Sequence, residues 1–189
     1  MIPNIVNGIT VKGIADFAFK GSKITSVDMS ACTELEAIGS LAFAKIDTLK
    51  SIKFSTATYK IGDSAFYMSA LGTEEEGFKL VIPANIKNIY DQAFRECKYL
   101  SEVEFEAGEG SVWFDISDTS HESKVFALCE NLKKVTLSDR VKTIPSYAFD
   151  NCTKLEEVVW SKALTSIDDS AFNYAGIKSV DLSECKELL

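Results

Sequence analysis

Nucleophilic catalysis by a Ser-His-Asp or Cys-His arrangement needs a histidine, and this sequence has one, His121. It stands in Ser120-His121-Glu122, which matches no nucleophile elbow and no papain-like signature. The same stretch offers Asp115, Asp118, His121 and Glu122 as a metal-ligand set. Oxygen donors of this kind suit calcium, but the Asp-x-Asp-x-Asp-Gly ladder and the EF-hand spacing are missing. Gly108-Glu109-Gly110 lacks the third glycine and the Lys-Ser/Thr pair of a phosphate-cradling loop. The five cysteines include no CxxC pair, so zinc is not expected. No catalytic set, metal or cofactor is expected from these residues. The remaining candidates are Trp113 and Phe114, flanked by Asp115 and Asp118. The two rings either fold back over the coil or form an exposed platform for a protein or a sugar ring.

These residues sit in a chain organised by repetition. An Ala-Phe pair stands at Ala18-Phe19, Ala42-Phe43, Ala65-Phe66, Ala93-Phe94, Ala148-Phe149 and Ala171-Phe172, and Val125-Phe126 fills a seventh place. The period is about 23 residues, and self-similarity of that length marks a solenoid. The consensus is Ile-x-x-x-Ala-Phe-x-x-Cys-x-x-Leu-x-x-Val-x-Leu. Its second half alternates with period two, which predicts a strand with inward pairs such as Val27/Met29, Val103/Phe105 and Val135/Leu137. The Ile and Ala-Phe half forms the opposite wall. Cys97, Cys129 and Cys152 share a place held elsewhere by Ser22, Ile46, Ser69 or Ala175, while Cys32 and Cys185 share another. A place that accepts Ser, Ala and Cys is a small packing position, so buried free thiols are expected. Stacked neighbours such as Cys129 and Cys152 could approach disulfide distance, but spacing cannot set the dihedral.

Two copies run long. One carries Leu71–Phe78, whose Glu74-Glu75-Glu76 reads as a solvated acidic turn. The other carries residues 106–124, where His121 falls in the Ile place and Val125 in the Ala place. Insertions in solenoids map to loops, often on a binding face. Outward strand positions are small and polar, and one column reads Lys79, Glu102, Lys134, Glu157, a structural charge ladder. The copy at residues 179–188 stops inside a coil with no polar cap. The expectation is therefore a fragment of a longer array, or an end that self-associates with another copy.

With 46% hydrophobic and 25% charged residues among 189, a folded soluble chain is expected. The net charge of -8 disfavours nucleic acid and anionic membrane surfaces as partners. No apolar run approaches the roughly 20 residues that cross a bilayer. The N-terminal residues lack the basic and apolar regions of a signal peptide.

The repeat resembles the BspA-like leucine-rich repeats of bacterial surface proteins, over essentially the whole chain. The resemblance implies one leucine-rich-repeat solenoid domain spanning 1–189. It would be right-handed, built of short parallel β-strands joined by short helical or irregular segments in about seven to eight coils. It also implies a cell-surface or secreted setting and a non-catalytic role in protein binding or adhesion, for instance to host matrix proteins or other cell-surface proteins. A carbohydrate-binding module using residues 106–124 to hold a glycan is one alternative. A structural spacer displaying a neighbouring domain is another.

Overall fold

The computed structural model describes residues 1–115 and 122–189, Asp115 through its backbone alone. Among the described residues the chain forms fifteen short strands and no helix. A hairpin comes first, β1 (Ile5–Val6) against β2 (Ile9–Thr10). Its turn, Asn7-Gly8, has φ of 52° and 80°, the left-handed pair that a tight two-residue hairpin requires.

From β3 onward each coil contributes one strand to each of two parallel sheets. The odd-numbered strands carry the Ile of the consensus: β3 (Gly13–Ile14), β5 (Ala37–Ile38), β7 (Lys60–Ile61), β9 (Asn88–Tyr90), β11 (Trp113–Asp115), β13 (Thr143–Ile144) and β15 (Ser166–Ile167). The even-numbered strands carry the Val-x-Leu pattern: β4 (Ser26–Asp28), β6 (Ser51–Lys53), β8 (Phe78–Ile82), β10 (Leu100–Phe105), β12 (Lys134–Thr136) and β14 (Glu157–Val159). Equivalent residues pair across coils, as in Leu80 with Val103, Val103 with Val135, and Val135 with Val158. The predicted inward pairs are buried, Val103 with Phe105 and Val135 with Leu137 among them. The outward charge column keeps its lateral order. Lys134 meets Glu157 at 2.6 Å, whereas Lys79 reaches diagonally to Glu104 at 2.5 Å rather than to Glu102.

The third wall explains why the repeat needs Ala-Phe. Phe19, Phe43, Phe66, Phe94, Phe126, Phe149 and Phe172 stack face to face, with centroids 5.1–5.4 Å apart and planes within 13° of parallel. Their spacing follows the pitch of about 4.8 Å between hydrogen-bonded strands. The flanking backbone is irregular where a short helix was one alternative. Two positions before and two after each repeat Phe, φ is positive at every residue, from 46° at Lys124 to 61° at Phe17 among the non-glycines, with Gly21 the one glycine. This reversal turns alternate N–H groups along the stack. Phe43 N donates to Ala65 O at 2.7 Å and Lys45 N to Tyr67 O at 2.7 Å, while Ala44 N turns back to Leu41 O at 3.2 Å.

The coil count is lower than the sequence pattern suggests. Seven stacked rings define six complete turns. The Val180/Leu182 copy forms no strand, and Val180 is exposed. The pattern counts half-coils, whereas a turn closes only where a neighbour supplies hydrogen-bond partners.

Each long copy interrupts one sheet. Among the described residues the even-numbered sheet breaks between β6 and β8, at the Leu71–Phe78 loop, and the odd-numbered one between β11 and β13. The breaks are staggered, so the other sheet runs on past each one.

Candidate interaction surface

The pairing of β11 corrects the register of the long copy. Phe114 pairs with Ile89, so Phe114 and not His121 takes the Ile place. Ile61 and Ile144 each lie five positions before their repeat Phe, whereas Phe114 lies twelve before Phe126. Val103 lies eleven positions before Phe114, against nine from Val135 to Ile144, so two extra residues widen the turn before β11 and seven follow it. Phe114 is partly buried, with its ring edge-on to Phe105 at 6.0 Å. Strand alternation then sends Trp113 the other way, and it is 66% exposed. The aromatic pair divides, one ring in the core and one outside.

Trp113 ends a lateral row, because it pairs with Asn88, which pairs with Lys60. Asp115 pairs with Tyr90 one row on, and Lys60 Nζ lies 4.6 Å from the Tyr90 ring centre. On its other side Trp113 borders the break in the sheet. A cleft of about 200 Å³ opens there, lined by Trp113, Ser111, Thr143, Lys142, Pro145 and Asp168. Asp118 and His121 lie outside the described residues. Glu122 forms an ion pair with Lys124. Among the described residues no three His, Cys, Asp or Glu side chains come together as a metal set.

Arg140 underlies this region, and nothing in the repeat pattern pointed to it. It is 2% exposed. Its guanidinium donates to Pro83 O at 3.3 Å and Glu106 O at 3.5 Å, and also to Ile86 O. Pro83 and Ile86 belong to the coil of β8, two coils away from β12. Elsewhere one coil suffices: Asn85 reaches Ser55 O at 3.2 Å and also Thr58 O, both in the coil before. Arg140 spans the widened 106–112 turn. Burial lowers its pKa, and Glu106 offsets this in part. Gly108 packs beside it, since a Cβ there would stand 3.7 Å from the Arg140 Cδ and 2.7 Å from the Ala84 Cβ.

All five cysteines are buried free thiols. The shared place has a specific partner: Cys97 donates to Phe66 O at 3.3 Å, Cys129 to Phe94 O at 3.2 Å and Cys152 to Phe126 O at 3.3 Å. Ser69 makes the same bond to Phe43 O at 2.5 Å, which explains why Ser and Cys interchange there. Burial pushes the Cys97 and Cys152 thiols well up, and neighbouring Cys129 adds to it. These are poor nucleophiles.

Comparison with known proteins agrees with this architecture. The model of the BspA type leucine rich repeat region matches six copies, over residues 2–76 and 73–188. The chain belongs to this family. It is similar to the crystal structure of a leucine-rich repeat protein from Eubacterium ventriosum, with 22% identity and a TM-score of 0.70, covering 88% of this chain and 41% of that one. A leucine-rich repeat protein from Bacteroides ovatus aligns at 25% identity and a TM-score of 0.68, covering 95% of this chain and 50% of that one. The chain therefore spans half or less of these relatives' lengths. No curated protein matches it.

Proposed function

We propose that this chain is a non-catalytic interaction module of a cell-surface or secreted protein, and that it engages a protein partner around Trp113. One observation carries the reading. Trp113 is a large aromatic left 66% exposed, the most exposed large hydrophobic on the described parallel strands. Interfaces concentrate their energy in such aromatic anchors beside a pocket. Membership of a leucine-rich-repeat family supports the same class of role. The test is binding of immobilised host matrix proteins to wild type and Trp113→Ala. A loss of about tenfold or more is expected for a central anchor. Equal binding removes this surface as the site.

A second reading is favoured by the lining of the cleft. Ser111, Thr143, Lys142 and Asp168 beside an indole suit the hydroxyls and faces of a sugar. On a glycan array this reading expects hits that Trp113→Ala abolishes, and an array without hits ends it.

A further inference from the structure

The acidic loop at residues 72–77 carries chemistry that the Trp113 surface does not use. Its ends are fixed. Gly72 and Gly77 have φ of 117° and 69°, and Gly77 N donates to Thr73 O at 2.8 Å. Ser101 Oγ receives the Phe78 N–H at 3.1 Å. A Cβ on Gly77 would stand 2.6 Å from that hydroxyl oxygen, so the loop lies flush against the next coil. Glu74, Glu75 and Glu76 form its exposed tip.

Across from this tip runs a groove of about 420 Å³ whose other wall carries Lys98, Lys133 and Lys154 on three successive coils. Some lysines elsewhere are paired across coils, as in Lys23 with Asp47, Lys134 with Glu157 and Lys178 with Glu156. Among the described residues none of the three groove lysines forms an ion pair, although carboxylates outnumber cationic side chains by 28 to 20 in the chain. Two of them are held by groups that leave their charge uncancelled. Lys98 Nζ sits 4.8 Å from the Tyr99 ring centre. Lys154 Nζ donates to Asn131 Oδ1 at 2.7 Å, and Asn131 Nδ2 is itself anchored on Lys98 O at 2.7 Å. Cations positioned in this way are preorganised for an anionic group. No aliphatic side chain lines the groove, so an apolar peptide side chain would gain nothing there. Facing glutamates repel a second anionic group close to the first.

We propose that this groove binds an acidic glycan of the uronate type, with one sugar carboxylate held by Lys98, Lys133 and Lys154 and the hydroxyls turned to the polar rim. The site is separate from Trp113 and stands or falls without it.

Calorimetric titration with a galacturonate trisaccharide tests the proposal, with the neutral galactose trisaccharide and triglutamate as controls. Binding is expected for the uronate alone. The combined variant Lys98→Gln, Lys133→Gln, Lys154→Gln is expected to weaken it by about tenfold or more, since three exposed ion pairs are lost. All three lysines are exposed, so the variant keeps its fold, checked by an unchanged circular dichroism spectrum. Glu74→Gln with Glu75→Gln and Glu76→Gln is expected to tighten binding, and Trp113→Ala to leave it unchanged. The proposal is overturned by no heat with the uronate, by equal binding of the neutral sugar, or by triglutamate binding as tightly. It is overturned equally by a lysine variant that binds like wild type, or by weaker binding when the loop is neutralised.

Discussion

At the scale of single residues, the unusual feature is a backbone held left-handed at non-glycine residues in every coil. An L residue in that region carries a cost of roughly 1–2 kcal/mol, which the ladder between coils overrides. Replacing Tyr174, which is 74% exposed at φ 52°, by glycine removes the strain and adds unfolded-state entropy. A net gain of up to about 1 kcal/mol is expected in urea melts. Gly21→Ala is the mirror experiment, since nothing lies within 4 Å of the added Cβ, and it should lose a similar amount. The buried thiols predict slow reaction with a thiol reagent in the native state and release of all five in guanidinium, and rapid native reaction would contradict their burial. Acid sensitivity follows from three carboxylates. Ser30 holds Asp28 below its ordinary value and Ser183 does the same for Asp181 through the equivalent turn, while Lys178 holds Glu156 down. A carboxylate with a depressed folded pKa contributes stability that is present above its unfolded value and lost as pH falls through the folded one. Stability should therefore fall below about pH 4, where unfolded carboxylates begin to protonate. Asp28→Asn should flatten that fall, and an unchanged acid limb would show that the Asp28 turn does not contribute.

Among the elements, the turns decide which parts of the array were legible beforehand. The strands and the Phe wall follow from periodicity, because each place meets the same place in the next coil. The Asn7-Gly8 hairpin has a sequence signal of its own, in the dipeptide between Ile5-Val6 and Ile9-Thr10, which lies outside the repeat. Counting back from Phe126 misplaces Phe114, because it assumes a fixed step, whereas most of the extra residues follow β11. Arg140 could not be read at all. Its partners are backbone carbonyls one and two coils away, and carbonyls have no sequence identity. Arg140→Met tests its weight. The substitution keeps the apolar stem and removes the donors, taking from the Ile86 carbonyl its guanidinium partner, while Pro83 O keeps the Ile86 N–H at 3.0 Å. A loss of about 1–3 kcal/mol is expected, because an orphaned buried acceptor is costly. A loss below about 0.5 kcal/mol, the range of ordinary surface changes, would mean that water replaces the guanidinium.

For the molecule as a whole, stability is a sum over neighbouring coils, and its cooperativity depends on where the couplings weaken. The sheet breaks between β6 and β8 and between β11 and β13 are candidate places for the array to come apart. They are staggered, however. The odd-numbered strands run unbroken from β3 to β11 past the first gap, and the even-numbered strands from β8 to β14 past the second. The stack of Phe rings crosses both. One cooperative transition is therefore expected. Phe94 is the decisive position, because it lies between the gaps, is fully buried, and stacks on Phe66 at 5.1 Å and Phe126 at 5.4 Å. Phe94→Ala should cost about 3–5 kcal/mol. Phe172→Ala should cost about half as much, since that ring stacks on one repeat neighbour and is only partly buried. Trp113 and Trp160 report from different sides of the second gap, so their fluorescence and the backbone circular dichroism should give superimposable unfolding curves in both variants. Separate midpoints in Phe94→Ala would show that the ring stack, rather than either sheet, holds the two halves together.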